Sequence, residues 1–155
     1  MIDGVKVLLF KPLTFMNRSG VAVHEIANFY KIPPEDIYVF HDDLDLAFTK
    51  VRVKQNGGHG GHNGLRDIDR TIGKNYHRVR IGIDHPGDKH KVSGYVLKDF
   101  AKKEKDDVAL LLSVMTDDIV ALIGGKASMF MSRIAETMSP PASKEPEQKE
   151  KKNGI

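Results

Sequence analysis

Three consecutive patterns in residues 49–73 decide the fold: TKVRVK (49–54), NGGHGGHNG (56–64) and NGLRDIDRTIG (63–73). The first pattern alternates apolar and basic residues, which is typical of a strand with one buried face. The third carries apolar residues at helical spacing and ends at Gly73, a common residue beyond a helix C-terminus. The stretch therefore predicts a strand, a glycine-rich loop and a helix in succession.

The five glycines of residues 56–64 need a physical reason, because glycine loses more conformational freedom on folding than other residues. Backbone N–H groups at a helix start are unsatisfied, and glycines allow a ligand to approach them. Asn63 lies at the predicted helix entrance, where its amide can cap the helix or bind a substrate carbonyl. The loop is not a Walker loop, because no Lys-Ser/Thr pair follows it, and it lacks the acidic residue expected of a dinucleotide site.

The remaining segments continue an alternation of strands and helices. Strands alternating with helices predict a single-domain α/β protein, a three-layer α/β/α sandwich around a mixed sheet. Residues 84–91 read as a loop, and Ser19 is a possible N-cap for the first helix. The predicted strands are 5–10, 36–41, 49–54 and 76–83, and the predicted helices are 20–32, 63–73, 100–123 and 126–137.

The end of the chain differs in composition from the rest. Residues 138–155 are rich in proline and charge and poor in apolar residues, which predicts a disordered charged tail. The expected organisation is one domain over residues 1–137 followed by this tail.

Composition excludes several classes of protein. The chain has 155 residues, of which 40% are hydrophobic and 29% are charged, as in ordinary globular domains. It has no cysteine, so it can form neither disulfides nor thiolate metal sites. No apolar run approaches twenty residues, and the first residues lack the features of a signal peptide. We therefore expect a soluble cytoplasmic protein.

Charge is unevenly placed along the chain, although the net charge is only +3. Residues 32–48 contain five acidic residues and no lysine or arginine, whereas residues 49–91 contain ten lysines and arginines against four acidic residues. A basic face beside an acidic cluster suits a polyanionic partner next to a reactive centre. A solvated surface is the other interpretation, and charge alone favours it.

The histidines of the glycine-rich run admit several interpretations. His59 and His62 are three residues apart, so a metal site that includes Asp42 or Asp43 is conceivable. Two histidines in a loop are more often polar surface or substrate contacts, and no other ligand stands at partner spacing. Serine-based catalysis has no support either, because the chain lacks a G-x-S-x-G elbow.

Four blocks together resemble one family: KPLTFMNRSG (11–20), FHDDLDL (40–46), GGHGGHNGLRDI (57–68) and HRVRIGIDHPG (77–87). In wording, order and spacing the chain resembles the bacterial peptidyl-tRNA hydrolase family over about residues 5–137. The resemblance implies cleavage of the ester that joins a peptide to the 3′ end of tRNA. It further implies a monomeric enzyme that uses no metal or cofactor.

The resemblance also implies roles for residues in the first two blocks. Asp42 matches the acid that orients the catalytic histidine, which follows the Asp–His logic of general-base catalysis. Phe15 and Met16 match a wall of the substrate groove, and Asn17 matches a polar contact to substrate. The alternatives are a loop carboxylate for Asp42, core packing for Phe15 and Met16, and a helix-entry cap for Asn17.

Further roles fall in the last two blocks and the strand before them. Asn63 matches the asparagine that holds substrate or the attacking water, and His62 matches a groove residue that positions peptide. Lys54 and Arg80 match a basic clamp for tRNA phosphate, with Arg52 a weaker member. For these cations a solvated strand face is the alternative, and for Asn63 it is helix capping.

One part of the family's pattern is not found in this sequence. The family begins with a Gly-Asn-Pro-Gly type turn and an Arg-His-Asn segment that supplies the catalytic histidine, and neither is present. His41 precedes Asp42 directly, and neighbouring strand side chains point to opposite faces, so His41 is a poor replacement. We therefore expect a fragment that lacks the N-terminal strand–helix portion and the catalytic base. The alternative is a non-catalytic tRNA- or peptidyl-tRNA-binding remnant.

Overall fold

The computed structural model describes residues 1–139, so residues 140–155 of the predicted disordered tail lie outside the described residues. Helices and strands form an α/β arrangement, as predicted. The strands are β1 (Tyr38–Asp43), β2 (Val51–Gln55) and β3 (His77–Gly82). The α-helices are α1 (Ser19–Phe29), α2 (Asn63–Ile72), α3 (Val92–Leu97), α4 (Lys102–Asp117), α5 (Ile119–Ile123) and α6 (Ala127–Met138).

The three strands form a mixed sheet in the order β1-β3-β2. β1 runs parallel to β3, and its Phe40 lies opposite Val79. β2 runs antiparallel to β3, and its Val53 lies opposite the same Val79. Val79 is therefore the centre of the sheet, and it is fully buried.

Two apolar clusters cover the two faces of the sheet. One face packs against α4–α6, where Phe130 and Leu122 are almost completely buried with Val79. The other face packs against α1 and α2, where Leu65 and Tyr76 form the centre of the second cluster. The alternation of apolar and polar residues in β2 and β3 thus gives three layers, because each strand presents a different side-chain set to each face.

A close approach between two helices joins α1 to α2 at Gly20. The backbone N–H of Gly20 donates to Asp67 Oδ2 at 2.7 Å, and Thr71 Oγ1 donates to the Gly20 carbonyl at 3.0 Å. A Cβ atom at residue 20 would lie 2.2 Å from the backbone oxygen of Asp67. Glycine is required here because two backbones meet, and this contact fixes α1 beside the start of α2.

We expect Gly20→Ala to destabilise the fold even though alanine favours helices. The added methyl meets the backbone of α2, and overpacking of this kind costs about 1–3 kcal/mol or more. Gly94→Ala in α3 is the matched control, because no atom lies within 4 Å of its Cβ position, and alanine there is expected to stabilise by up to about 1 kcal/mol. Urea unfolding of both variants measures the difference, and equal midpoints would contradict this account of α1–α2 packing.

Residues 5–10 do not form the predicted strand. Their only ladder contact is an isolated bridge between Ile2 and Val5, and the segment continues without regular structure. An apolar run becomes a strand only when another strand pairs with its backbone, and residues 5–10 pair with none of the three strands of the sheet. Leu9 and Leu13 are consequently 89% and 95% exposed.

The helices differ from the prediction at three places. The predicted helix 100–123 is divided at Asp118, whose carboxylate pairs with Arg133 Nη1 at 2.9 Å. Helix α3, which follows the predicted loop 84–91, was not predicted from the sequence. Ser19 is the first residue of α1 rather than its cap, and its hydroxyl donates to the Met16 carbonyl at 2.7 Å.

Among the described residues 1–139, no helix combines the length and the apolar character needed to cross a membrane.

Candidate functional site

The glycine-rich loop connects β2 to α2 through a series of left-handed residues. Asn56, Gly57, Gly60 and Gly61 have φ values of 63°, 104°, 57° and 82°. Three of these four positions are glycine because a side chain strains this conformation. Glycine is favoured at residue 64 for a different reason, because a Cβ atom there would lie 2.7 Å from Met16 Sδ. The loop is thus built to turn tightly and to bring Met16 against α2.

His62, rather than Asn63, caps the N-terminus of α2. Nδ1 of His62 accepts the backbone N–H of Leu65 at 3.2 Å. Asn63 is the first residue of the helix and is exposed, and its Oδ1 accepts from Arg66 Nη1 at 3.3 Å. The predicted capping alternative for Asn63 is therefore wrong, and the side chain of Asn63 is exposed beside His62.

The other ring nitrogen of His62 contacts Asp42. Nε2 of His62 lies 2.8 Å from Asp42 Oδ1, and the side chains are 17% and 37% exposed respectively. The hydrogen bond from His62 holds the pKa of Asp42 below its ordinary value, although partial burial acts in the opposite direction. Asp42 is thus an anion at neutral pH, and it presents a partly exposed carboxylate edge.

The hydrogen bonds of His62 fix its tautomer. Nδ1 must carry a lone pair to accept from Leu65, so the proton of the neutral ring lies on Nε2 and is donated to Asp42. Neither nitrogen then has a free lone pair with which to accept a proton from water. The arrangement suits a residue that is held in place and positions its neighbours.

His41 is buried beside this pair and does not share the Asp42 carboxylate. Its Nδ1 donates to the Asp42 backbone carbonyl at 2.8 Å, and its ring meets that of His62 edge-on with centroids 5.3 Å apart. Burial lowers the pKa of His41, which favours the neutral ring. His41 and Asp42 both contact His62, but the ring of His41 bonds the backbone of Asp42 and not its carboxylate.

The cations of β2 and β3 share one face of the sheet. Arg52 lies opposite Arg80, and Lys54 lies opposite Arg78, so all four project on the side that also carries His41. Arg80 Nε donates to Asp43 Oδ2 at 2.7 Å. Burial alone would raise the pKa of Asp43, but the hydrogen bond from Arg80 contributes to a net lowering.

A small polar cavity of about 150 Å³ lies between this basic face and the glycine-rich loop. Lys54, Arg78 and Arg80 line it together with His41. Cations from two strands therefore converge on one concave surface beside the Asp42–His62 pair. The sequence predicts Lys54 and Arg80 on charged strand faces, but it gives no role to Arg78 and considers Asp43 only as a conceivable metal ligand.

The residues before α1 pack against the N-terminal part of α2. Phe15 and Met16 are 81% and 58% exposed, so core packing does not account for them. The 3₁₀-helical turn Met16–Arg18 packs against α2, and Asn17 within it is exposed. Met16 and Asp42 are thus both held at the N-terminus of α2, Met16 against Gly64 and Asp42 through His62, and Asn63 lies between these two helix residues in the chain.

The metal-site alternative finds no support in this arrangement. Within residues 1–139, no group of three or more histidine and acidic side chains gathers in a geometry that could hold a metal ion. Nδ1 of His59 accepts the N–H of Gly61 at 3.0 Å, and both nitrogens of His62 are engaged as described.

These features define an α/β protein with a carboxylate–histidine pair at a helix N-terminus, between an apolar surface and a basic one. A sequence model of the peptidyl-tRNA hydrolase family matches residues 1–143. The chain belongs to the peptidyl-tRNA hydrolase family.

Individual relatives are similar over most of this chain. It is 51% identical over 140 residues to the peptidyl-tRNA hydrolase of Rhodospirillum centenum and 52% identical over 139 residues to that of Rhodospirillum rubrum. These matches cover 90% of this chain but 62% and 57% of the two relatives. The chain thus spans about three fifths of the length of the curated relatives it matches.

Solved structures agree with the fold. A crystal structure of peptidyl-tRNA hydrolase from Acinetobacter baumannii superposes with a TM-score of 0.67 at 45% identity, covering 79% of this chain and 63% of that chain. A complex of peptidyl-tRNA hydrolase with N-propanol gives a TM-score of 0.70 at 44% identity over the same shares.

Proposed function

We propose that this chain takes part in hydrolysis of peptidyl-tRNA, cleaving the ester between the peptide and the 3′ end of tRNA. The observation that carries the proposal is the position of Asp42: it contacts His62 at the N-terminus of α2, where Met16 also packs, and its neighbour Asp43 pairs with Arg80 of the basic face. A substrate that is apolar or polar at one end and polyanionic at the other fits this order of surfaces. The family membership of the chain and the names of its relatives support the same substrate.

The proposed chemistry is attack of water on the ester carbonyl, with proton transfer to a histidine base. Asp42 orients that histidine through its exposed carboxylate edge and stabilises the imidazolium that forms. Asn63 offers an amide at the mouth of the site, where it can hold the attacking water or a substrate carbonyl. The reaction uses ordinary acid–base groups and no cofactor.

His62 is an unsuitable base in this scheme. Its Nε2–H is donated to Asp42 and its Nδ1 lone pair accepts from Leu65, so protonation would break the cap of α2. His62 instead fixes one oxygen of Asp42 and supports the groove. We propose that the catalytic histidine of the family is not among residues 1–155.

This assignment of His62 favours a second candidate function. If no other base reaches Asp42, residues 1–155 bind peptidyl-tRNA or tRNA without rapid hydrolysis. The binding surface does not depend on the base, because the cations lie on β2 and β3 and the apolar residues lie before α1. The two candidates differ in turnover and agree in what they bind.

The apolar wall of the proposed groove consists of Phe15 and Met16, with Asn17 as a polar contact at its end. Phe15 is 81% exposed and Met16 is 58% exposed, so both side chains are accessible to a substrate. We assign this wall to the peptide part of the substrate. His62 and Asn63 then contact the substrate near the ester.

The basic face is assigned to tRNA phosphate, with Lys54 and Arg80 as its main members and Arg52 as a weaker one. We expect Lys54→Ala and Arg80→Ala each to reduce the dependence of log K on log salt by roughly 0.7–0.9 for each phosphate that the removed cation neutralises. Arg80→Ala also leaves Asp43 without its partner, so its effect on affinity should be the larger. A salt titration of tRNA binding measures both quantities.

Asn63→Ala is the matched control for the salt titration. An amide releases no counterion, so this variant should weaken the binding of peptidyl-tRNA while leaving the salt slope unchanged. If neither cation variant changes the slope, the basic strands form only a solvated face. The assignment of Lys54 and Arg80 to phosphate would then be wrong.

The proposal also carries expectations for the setting of the protein. Peptidyl-tRNA arises during translation, so the protein is proposed to work in the cytoplasm. Its binding surfaces lie within one chain, which is consistent with action as a monomer.

A further inference from the structure

Arg78 differs from the other cations of the basic face because it is buried. Only 5% of the residue is exposed, whereas Lys54 opposite it on β2 is exposed. Buried arginines are usually paired with a carboxylate, because an isolated buried charge is costly. The four ion pairs among the described residues do not include Arg78.

The partners of Arg78 are backbone carbonyls of the glycine-rich loop. Nη1 donates to the Gly58 carbonyl and Nη2 donates to the Asn56 carbonyl. A guanidinium can make both bonds at once because its donors are fixed in a planar fork. Two charge-assisted hydrogen bonds therefore hold the first half of the loop against β3.

The loop is shaped around this side chain. Gly57 lies between the two bonded carbonyls with φ 104°, and a Cβ atom there would collide with the guanidinium of Arg78. The glycine at residue 57 is thus explained twice, by its left-handed backbone and by the close approach of Arg78. The second half of the loop then continues through a hydrogen bond from the His62 N–H to the His59 carbonyl.

We propose that Arg78 is a positioning residue, which holds residues 56–61 in the path that sets His62 and Asn63 at the start of α2. The proposal rests on the proposed function for its effect on substrate, since Asn63 is the residue that would contact peptidyl-tRNA. Arg78 itself lines the inner wall of the cavity and acts through the loop. None of the roles assigned to Lys54 or Arg80 includes this tether.

The test uses residues 1–155 and compares Arg78→Met, Arg78→Lys and Gly57→Ala with Arg133→Met as control. Arg133 pairs with Asp118 on the far side of the sheet, so its loss removes one arginine without touching the loop. Amide hydrogen exchange is read at Gly61 and His62, whose N–H groups are bonded within the loop. Exchange in α4 reports global stability, and the affinity for peptidyl-tRNA is measured for each variant.

Arg78→Met is expected to speed exchange at Gly61 and His62 by about tenfold or more, with α4 unchanged. Arg78→Lys should restore part of the protection, because a single ammonium cannot replace the two-pronged fork. Gly57→Ala should loosen the same amides from the other side of the contact, which keeps the test informative if Arg78→Met does not fold. The affinity for peptidyl-tRNA should fall in the same order.

Three results would overturn the inference. Unchanged loop exchange in both Arg78→Met and Gly57→Ala would show that no tether exists. An equal rise in the loop and in α4 would show a role in general stability only. Loosening of the loop at full affinity, in a chain whose unmodified form binds peptidyl-tRNA, would show that the tether does not position the site. If the unmodified chain does not bind peptidyl-tRNA, the proposed function fails, and loop exchange still decides on the tether.

Discussion

Asp42→Asn is expected to lower kcat for peptidyl-tRNA hydrolysis by about 10²–10⁴-fold, the usual contribution of a positioned acid–base group. The variant is made in a chimaera that joins residues 1–155 to the parts of the Rhodospirillum rubrum relative that lie outside the matched region. Asparagine keeps the size of the side chain, and its Oδ1 can still accept the hydrogen bond from His62 Nε2, so the fold should be retained. It loses the negative charge that orients and stabilises a protonated histidine. Steady-state hydrolysis of labelled peptidyl-tRNA measures kcat and KM separately.

Asp118→Asn is the control for this substitution, because Asp118 also forms an ion pair but lies between α4 and α5. It should leave kcat and KM unchanged. If Asp42→Asn retains kcat within about threefold, Asp42 does not orient the base. If KM rises instead of kcat falling, Asp42 serves in binding alone.

The strands and helices around the site followed from sequence because each depends on local pattern. The alternation in residues 49–54 and 76–83 predicted β2 and β3 to within two residues at each end. The spacing of residues 63–73 predicted α2, and Gly73 follows its last residue with φ 77°. Mixed pairing of the strands was also predicted, and it is confirmed.

Predictions that needed tertiary partners were less successful. Residues 5–10 have the composition of a buried strand but pair with no strand of the sheet. The predicted helix 100–123 is divided at Asp118, whose backbone leaves the helical conformation (φ -99°, ψ 8°) without a glycine or proline, and whose side chain pairs with Arg133 on α6. Composition alone carries no information about either partner.

The contacts of single side chains in the site also depend on tertiary partners, which the sequence does not reveal. In residues 76–83 apolar residues alternate with Arg78 and Arg80, which places both arginines on one strand face, but the sequence does not show that the glycine-rich loop contacts Arg78 and that Arg78 is buried. His62 was expected to line the groove, and the structure adds its contacts with Asp42 and Leu65. These contacts depend on how α2 meets β1, which no local pattern encodes. The asparagine beside it was the more obvious capping residue from sequence statistics.

Residues 1–155 alone are expected to hydrolyse peptidyl-tRNA about 10²–10⁴-fold more slowly than the Rhodospirillum rubrum relative, because His62 has no free lone pair beside Asp42. The residues proposed to contact peptide and tRNA all lie within this chain, so binding should persist. The expected behaviour is therefore binding that weakens with salt, without rapid release of peptide.

One measurement tests this account most directly: binding and single-turnover release of peptide, followed on the same sample of peptidyl-tRNA with residues 1–155. We expect saturable, salt-dependent binding and release at least about a hundredfold slower than with the relative. Release at a comparable rate would contradict the account. If that activity disappeared in His62→Gln, His62 would be the base, and its hydrogen bonds to Asp42 and Leu65 would have to open during the reaction.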